Sequence, residues 1–228
     1  MDTHPQHTNR QYEEELRDLR AGLLKMGGLV ERQIVEAVDS LVNRDSDRAH
    51  EIIKRDAEVN RMDIECDERC IRLLALHQPA ASDLRFITTG LKITTDLERI
   101  GDNAVNICER AIELNQEPQL KPYIDIPRMA AVAQSMVKDS LDAFMRNDTD
   151  LAQAVIARDD EVDDLQHQIY RELLSYMAED PHTIGRATRI LFVSKYLERI
   201  ADHATNIAEM VVFMVKGKTI RHMDKSTR

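Results

Sequence analysis

Two stretches of this chain carry the same phrase. LERIGDNAVNICE runs from Leu97 to Glu109 and LERIADHATNIAE from Leu197 to Glu209, with nine of thirteen positions identical at an offset of 100. The likeness extends upstream at an offset of 103, where Val38–Met62 aligns with Leu141–Leu165. Nine of those 25 positions match, among them Asp56/Asp159, Glu58/Glu161 and Val59/Val162. The change of offset places a three-residue deletion in the loops near Pro79 and Pro181, where length is most easily altered. A duplicated chain is expected to fold as two like units.

What those units are follows from composition and punctuation. Gly (7) and Pro (6) are scarce, Trp is absent, and Ala, Leu, Ile, Met, Glu and Arg fill the chain. These are helix formers, and so few breakers allow only a handful of turns. Asp45-Ser46 and Asp148-Thr149 stand before helical patterns as N-caps. LHQPAASD and AEDPHT break the helices that follow. QEPQLKPYIDIP, with three prolines in twelve residues, reads as a linker. The expected helices are 11–43, 46–76, 82–115, 128–146, 149–179 and 182–215. No segment alternates with period two, so no sheet is expected. Long helices joined by short turns pack antiparallel. The expected fold is all-α: two tandem antiparallel three-helix bundles (residues 1–115 and 128–215) around a linker at 116–127, followed by a polar tail at 216–228.

An α-helix turns about 100° per residue. With Glu98 at 0°, Asp102, Asn106 and Glu109 fall within about 80° of it, while Ile100, Ala104, Ile107 and Ala111 lie on the opposite face. Glu198, Asp202, Asn206 and Glu209 repeat the pattern against Ile200, Ala204, Ile207 and Val211. The carboxylates are therefore expected to point away from their own core. A solvated helix face would explain one such stripe. Yet like charges at i, i+4 repel, and a solvated face is free to place Lys there. Both copies instead keep Glu, Asp, Asn and Glu while neighbouring positions diverge. A second acidic row lies one helix earlier, at Asp56/Asn60 and Asp159/Asp163. Adjacent helical rows of carboxylates favour a cation between them, and hard cations take oxygen ligands. The expectation is a divalent or transition-metal site in each half, poorer in the first, where Asn60 replaces Asp163.

Other features carry less. Cys66 and Cys70 are spaced i, i+4 but suit a helical core, and three sparse cysteines fit a reducing compartment. His203 is expected at the surface. Arg99 and Arg199 are expected to pair with the carboxylates beside them. Gly27 and Gly28 lie mid-helix, which suggests close helix contact or a bend. A ferritin-like interior site needs paired ExxH motifs, and Asp164-x-x-His167 is a poor imitation. The net charge of −10 argues against nucleic-acid binding. There is no signal-peptide pattern and no apolar run long enough to span a membrane, so a cytoplasmic protein is expected, reaching membranes only through partners.

The two acidic phrases, the upstream DxxxD/N pairs, MGGLVE, QPAASDLR and VKGKTIRH together resemble the PhoU family over about residues 10–223. That resemblance implies a non-enzymatic cytoplasmic regulator, commonly a homodimer, that restrains phosphate uptake and phosphate-starvation signalling. It implies two partners: the sensor histidine kinase PhoR and the phosphate ABC transporter ATPase PstB. It also implies metal ions (Mg, Mn, Fe or Zn) at E(D)xxxD motifs. These motifs fall here on Glu98/Asp102, Glu198/Asp202 and Asp159/Asp163, with Asn60 departing from the pattern at Asp56/Asn60. The alternative is a multinuclear metal-dependent enzyme on a helical bundle, for which the sequence offers ligands but no evident general base in a pocket.

Overall fold

The duplication is visible in the folded chain. A computed structural model describes residues 5–217 and contains six long helices, with no strand among the described residues. They are α1 (Pro5–Val42), α2 (Ser46–His77), α3 (Ala81–Asn115), α4 (Asp125–Arg146), α5 (Thr149–Glu179) and α6 (Ile184–Lys216). A single 3-10 turn at Pro181–Thr183 leads into α6. The fold class is the expected one. The expected tail lies outside the described residues from position 218 onward.

Local chemistry sets the helix ends. Asp45 accepts from the Arg48 backbone N–H at 2.9 Å, and Asp148 accepts from Asp150 and Leu151 at 3.0 Å each. Both are side-chain N-caps that satisfy otherwise orphaned donors. α2 and α4 end on left-handed residues, Gln78 (φ 46°) and Asn147 (φ 55°), and α6 ends on Gly217 (φ 67°). Two boundaries differ from the sequence reading. α1 begins at Pro5, a residue tolerated at the first helical position. α4 begins at Asp125 rather than 128, because Pro127 lies in its first turn, where the missing N–H costs nothing.

α1, α2 and α3 pack on one another, as do α4, α5 and α6. α1 then packs on α4 and α3 on α6, leaving α2 and α5 outside, one on each bundle. The ion pair Arg55–Glu36 recurs as Arg158–Asp139 at the repeat offset. Buried apolar side chains of both halves form one continuous core. The core face read from the helical wheel is fully buried: Ile100, Ala104, Ile107 and Ala111 in α3, and Ile200, Ala204, Ile207 and Val211 in α6; Leu97 and Leu197 are buried beside them. Each such Leu or Ile contributes about 1.5–3 kcal/mol. Phe86 of α3 stacks on Phe144 of α4 across the join, with centroids 4.9 Å apart. Gly27 is a close contact rather than a bend: a Cβ there would collide with Leu141 of α4, whereas nothing approaches Gly28.

The segment between the bundles is pinned. Arg44 donates to the Asn115 and Glu117 carbonyls at 2.7 and 2.6 Å, and Arg186 donates to the Pro118 carbonyl at 3.0 Å. Lys121 is buried and paired with Glu172, and Tyr123 is buried as well. Prolines remove backbone donors, so side chains from both bundles supply the hydrogen bonds that hold this stretch down.

Candidate metal-binding grooves

α3 and α6 run antiparallel. Arg85 donates to the Met214 carbonyl at 2.9 Å, His203 meets Asp96 at 2.8 Å, and Arg189 pairs with Glu113 at 2.9 Å. An antiparallel pair whose copies are offset by 100 carries a local two-fold axis where a residue faces its own copy. These pairings place that axis beside Ile100 and Ile200. The repeated acidic phrases therefore meet at the centre of the molecule.

Each phrase also faces the preceding helix. On the α5/α6 side, Asp202 feels Glu198, Asp159 and Asp163. Partial burial, then Glu198 and Asp159, push its carboxyl up to about 6, against Lys195 and with a further upward contribution from Asp163. Lys195 Nζ lies 2.6 Å from Glu198 Oε1, while Glu198 Oε2 is buried without a hydrogen-bond partner. Thr205 Oγ1 lies 3.5 Å from Asp159. The four acidic residues expected in the second half thus share one groove.

On the α2/α3 side, Asp56, Glu98 and Asp102 likewise share a field. Burial raises the Glu98 carboxyl, and Asp102, Asp63 and Asp56 add to it while Arg99 opposes. Burial also raises Asp56, with Asp102 adding to it. Asp56 is only 8% exposed, and two amides hold it: Gln33 Nε2 donates at 3.3 Å and Asn60 Nδ2 at 3.2 Å. Gly101 permits this, since a Cβ there would stand 3.1 Å from Asp56 Oδ1 and 3.2 Å from Val59. The second half has Met136 and Ala201 in place of Gln33 and Gly101, and Asp159 is partly exposed. Asn60 thus spends its amide on Asp56.

Several readings need correction. His203 is not a plain surface residue: its side chain is 23% exposed and bridges the two bundles through Asp96. Glu209 is not on an outward stripe: it is 7% exposed and lies in a run of buried residues with Ala208, Met210, Val211 and Val212. Glu109 does stay exposed, at 49%. Arg99 approaches Glu98 at 3.5 Å and Asp102 at 3.4 Å as expected, but Arg199 makes no ion pair among the described residues. The three thiols are buried, and burial raises them to about 11 (Cys66) and about 12 (Cys70, Cys108), which suits core packing. Asp164 and His167 are exposed.

The sequence reading also passed over Asp63 and Asp67. With Asp56 and Asn60 they continue one stripe on α2 at i, i+4, i+7 and i+11. Burial, then Asp67, raises Asp63 against Arg99, and burial raises Asp67. Comparison of the repeats hid them, because their counterparts are Gln166 and Tyr170.

The donor set is all oxygen, which suits hard cations. Among the described residues no three His, Cys, Asp or Glu side chains already converge as a cage. The fit therefore rests on the orphaned Glu198 oxygen and on the mutual repulsion around Asp202, both of which a cation would relieve. By the same criteria Asp56, already hydrogen-bonded twice, makes the α2/α3 groove the poorer host.

The PhoU domain matches this chain twice, over residues 23–111 and 126–211, one match for each bundle. The chain is 44% identical over 218 residues to the phosphate-specific transport system accessory protein PhoU homolog of Pseudomonas aeruginosa, spanning 95% of this chain and 90% of that protein. It is 44% identical over 208 residues to the homolog from Aquifex aeolicus, spanning 91% and 94%. The crystal structure of PhoU from Pseudomonas aeruginosa superposes with a TM-score of 0.87 at 45% identity, covering 91% of this chain and 100% of that one. The phosphate transport system regulatory protein PhoU from Streptococcus pneumoniae gives 0.86 at 30% identity, covering 92% and 99%. Two copies of the family domain and relatives aligned over nearly the whole chain lead to one conclusion: this protein belongs to the PhoU family.

Proposed function

We propose that this chain is a non-enzymatic regulator of phosphate uptake and phosphate-starvation signalling. It acts in the cytoplasm as a homodimeric adaptor between the phosphate ABC transporter, through its ATPase PstB, and the sensor histidine kinase PhoR. Its acidic grooves bind divalent or transition-metal ions. Relatives named as accessory proteins of the phosphate-specific transport system support the regulatory reading and do not favour an enzyme. No described helix is long and apolar enough to cross a membrane, so contact with a transporter runs through partner subunits.

The observation that carries the cation reading is the α5/α6 groove, where Asp159, Asp163, Glu198 and Asp202 crowd together and one Glu198 oxygen lacks a partner. Packing like charges so closely has a cost that a bound cation removes. Glu98 and Asp102, with Asp56 and Asn60, form the weaker second site. Elemental analysis of the purified chain, coupled to pull-down of PstB and PhoR with and without chelator, tests both parts. Bound metal that disappears in Glu198→Ala/Asp202→Ala supports the cation site. Failure to retain either partner at high phosphate rejects the adaptor.

A further inference from the structure

The acidic row of α2 continues past the residues that meet Asp102. Asp63 and Asp67 carry it toward the α2–α3 turn, and Ile64 and Ile71 stand three residues before and four after Asp67, on the same helical face. Both isoleucines are exposed, at 59% and 61%. The short turn between His77 and Ala81 sets α3 antiparallel to α2. Leu91 and Leu84 precede Glu98 by seven and fourteen residues, so they share its face toward α2, and Leu84 is exposed as well. The outer groove between the two helices thus joins an acidic row to apolar side chains on both walls. We propose that this groove docks a basic amphipathic helix of a partner protein. The proposal rests on the adaptor reading for there being a partner, and it makes no use of bound cations.

Charge selects the occupant. Arg99 offsets Asp63 and Glu98, but it is shared with Asp102. The basic side chains on this part of α2 are spent elsewhere: Arg61 pairs with Glu58 and Glu65, Arg69 donates to the Asp18 carbonyl of α1, and Arg72 pairs with Glu15 of α1. Asp67 Oδ1 is buried with no hydrogen-bond partner. The row from Asp56 to Asp67 is about 16 Å long, and no three acidic side chains among the described residues converge on one point. A row of that length is matched by Lys or Arg repeated along a helix, with Leu or Ile beside them to cover Ile64, Ile71 and Leu84. A third helix laid between two others is ordinary ridge-into-groove packing. A second copy of this chain would bring its own net charge of −10 against the same row, and anionic lipid or nucleic acid would be repelled likewise.

The repeat supplies an internal contrast. Leu174 and Ile184 are exposed copies of Ile71 and Leu84. Gln166 and Tyr170, however, stand in place of Asp63 and Asp67, and Lys195 pairs with Glu198. The α5/α6 groove therefore keeps the apolar wall on this stretch without the acidic row. A basic helix is directed by charge to the first bundle.

The test uses the full chain and, as probe, a fluorescent helical peptide of Lys and Leu, about four turns long with its lysines on one face. The control peptide has the same composition scrambled so that no face forms. Anisotropy is read in chelator at about 0.15 M salt. The amphipathic peptide is expected to bind at least about tenfold more tightly than the scrambled one. Asp63→Asn/Asp67→Asn, which relieves like-charge repulsion and so leaves the fold intact, is expected to weaken it about ten- to a hundredfold. Ile71→Ser is expected to weaken it about tenfold, while Leu174→Ser, at the copied position, leaves it unchanged. Equal binding of the scrambled peptide, binding that survives Asp63→Asn/Asp67→Asn, or an equal loss in Leu174→Ser overturns the proposal. Tighter binding in Lys218→Gln/Arg221→Gln/Lys225→Gln assigns the groove to this chain's own basic segment and overturns it too, and a change of oligomeric state in Ile71→Ser does so by assigning the face to a second copy. Failure to retain PstB and PhoR rejects the adaptor whatever the peptide does, and a peptide that fails while both partners are retained rejects this groove alone.

Discussion

His203 of α6 and Asp96 of α3 join the two bundles with Nδ1 and Oδ1 2.8 Å apart, and the repeat does not copy this pair. The counterparts are Asn103, which donates to the Arg99 carbonyl at 2.7 Å, and Tyr196, which stacks on Phe192. This pseudo-symmetric interface thus carries an asymmetric polar link near its centre, between residues that the repeat does not copy. Asp96→Asn is expected to lower stability by about 0.5–1.5 kcal/mol, the usual worth of such a partly buried bond. Tyr196→Phe, which leaves the stacked ring in place, should cost less. Urea unfolding of the two variants beside the parent checks the order.

The paired glycines of α1 should respond in opposite directions. Gly27→Ala drives a methyl into Leu141 and is expected to cost about 1–3 kcal/mol through overpacking. Gly28→Ala meets open space and should stabilise by about 0.5–1 kcal/mol, because alanine fixes the helix at less entropic cost. Thermal melts of both variants decide it, and equal effects would contradict the described packing of α1 on α4.

The two grooves should differ in cation affinity. Asp202→Ala is expected to reduce divalent-ion binding more than Asp56→Ala, since Asp56 is already committed to Gln33 and Asn60. Converting the first groove toward the second, with Gln33→Met, Asn60→Asp and Gly101→Ala together, should strengthen its binding. Titration calorimetry with manganese follows each step, and a triple variant that binds no better than the parent counts against the asymmetry.

The pH dependence has a definite sign. Asp202 sits at about 6 in the folded chain, raised by partial burial and its carboxylate neighbours, against about 3.9 for an unfolded aspartate. Between those values the folded state holds more protons than the unfolded one, so this group's contribution to stability falls as pH rises. The upward shifts at Glu98 and Asp56 act in the same direction. The cation-free chain should lose stability from about pH 4 to pH 6 on account of these groups, and Asp202→Asn should flatten part of that slope. Added magnesium should stabilise more at pH 7 than at pH 5, because protons compete for the same oxygens. Unfolding across that range measures both.

Much of the fold was legible in one dimension, because helix periodicity and capping are local. The turn angle per residue placed Ile100, Ala104 and Ile107 in the core and Glu98 and Asp102 on another face, and the side-chain chemistry of Asp45 and Asp148 marked helix starts. The repeat offset indicated two like units, and the upstream pairs Asp56/Asn60 and Asp159/Asp163 placed the acidic rows on adjacent helices. The sequence thereby determined the helices and the duplication and marked Glu98, Asp102, Asp56 and Asn60 with their copies, but not Asp63 and Asp67, whose copies are Gln166 and Tyr170. Tertiary structure decided how they meet. The packing of α3 on α6 turned His203 into a bridge to Asp96 and brought both acidic phrases to one axis, and Glu209 came to lie among buried residues. Close approach at Gly101 drew Asp56 inward to Gln33 while Asp159 stayed partly in solvent. Those outcomes depend on contacts between residues far apart in the chain, and a helical wheel drawn for one segment contains no information about them.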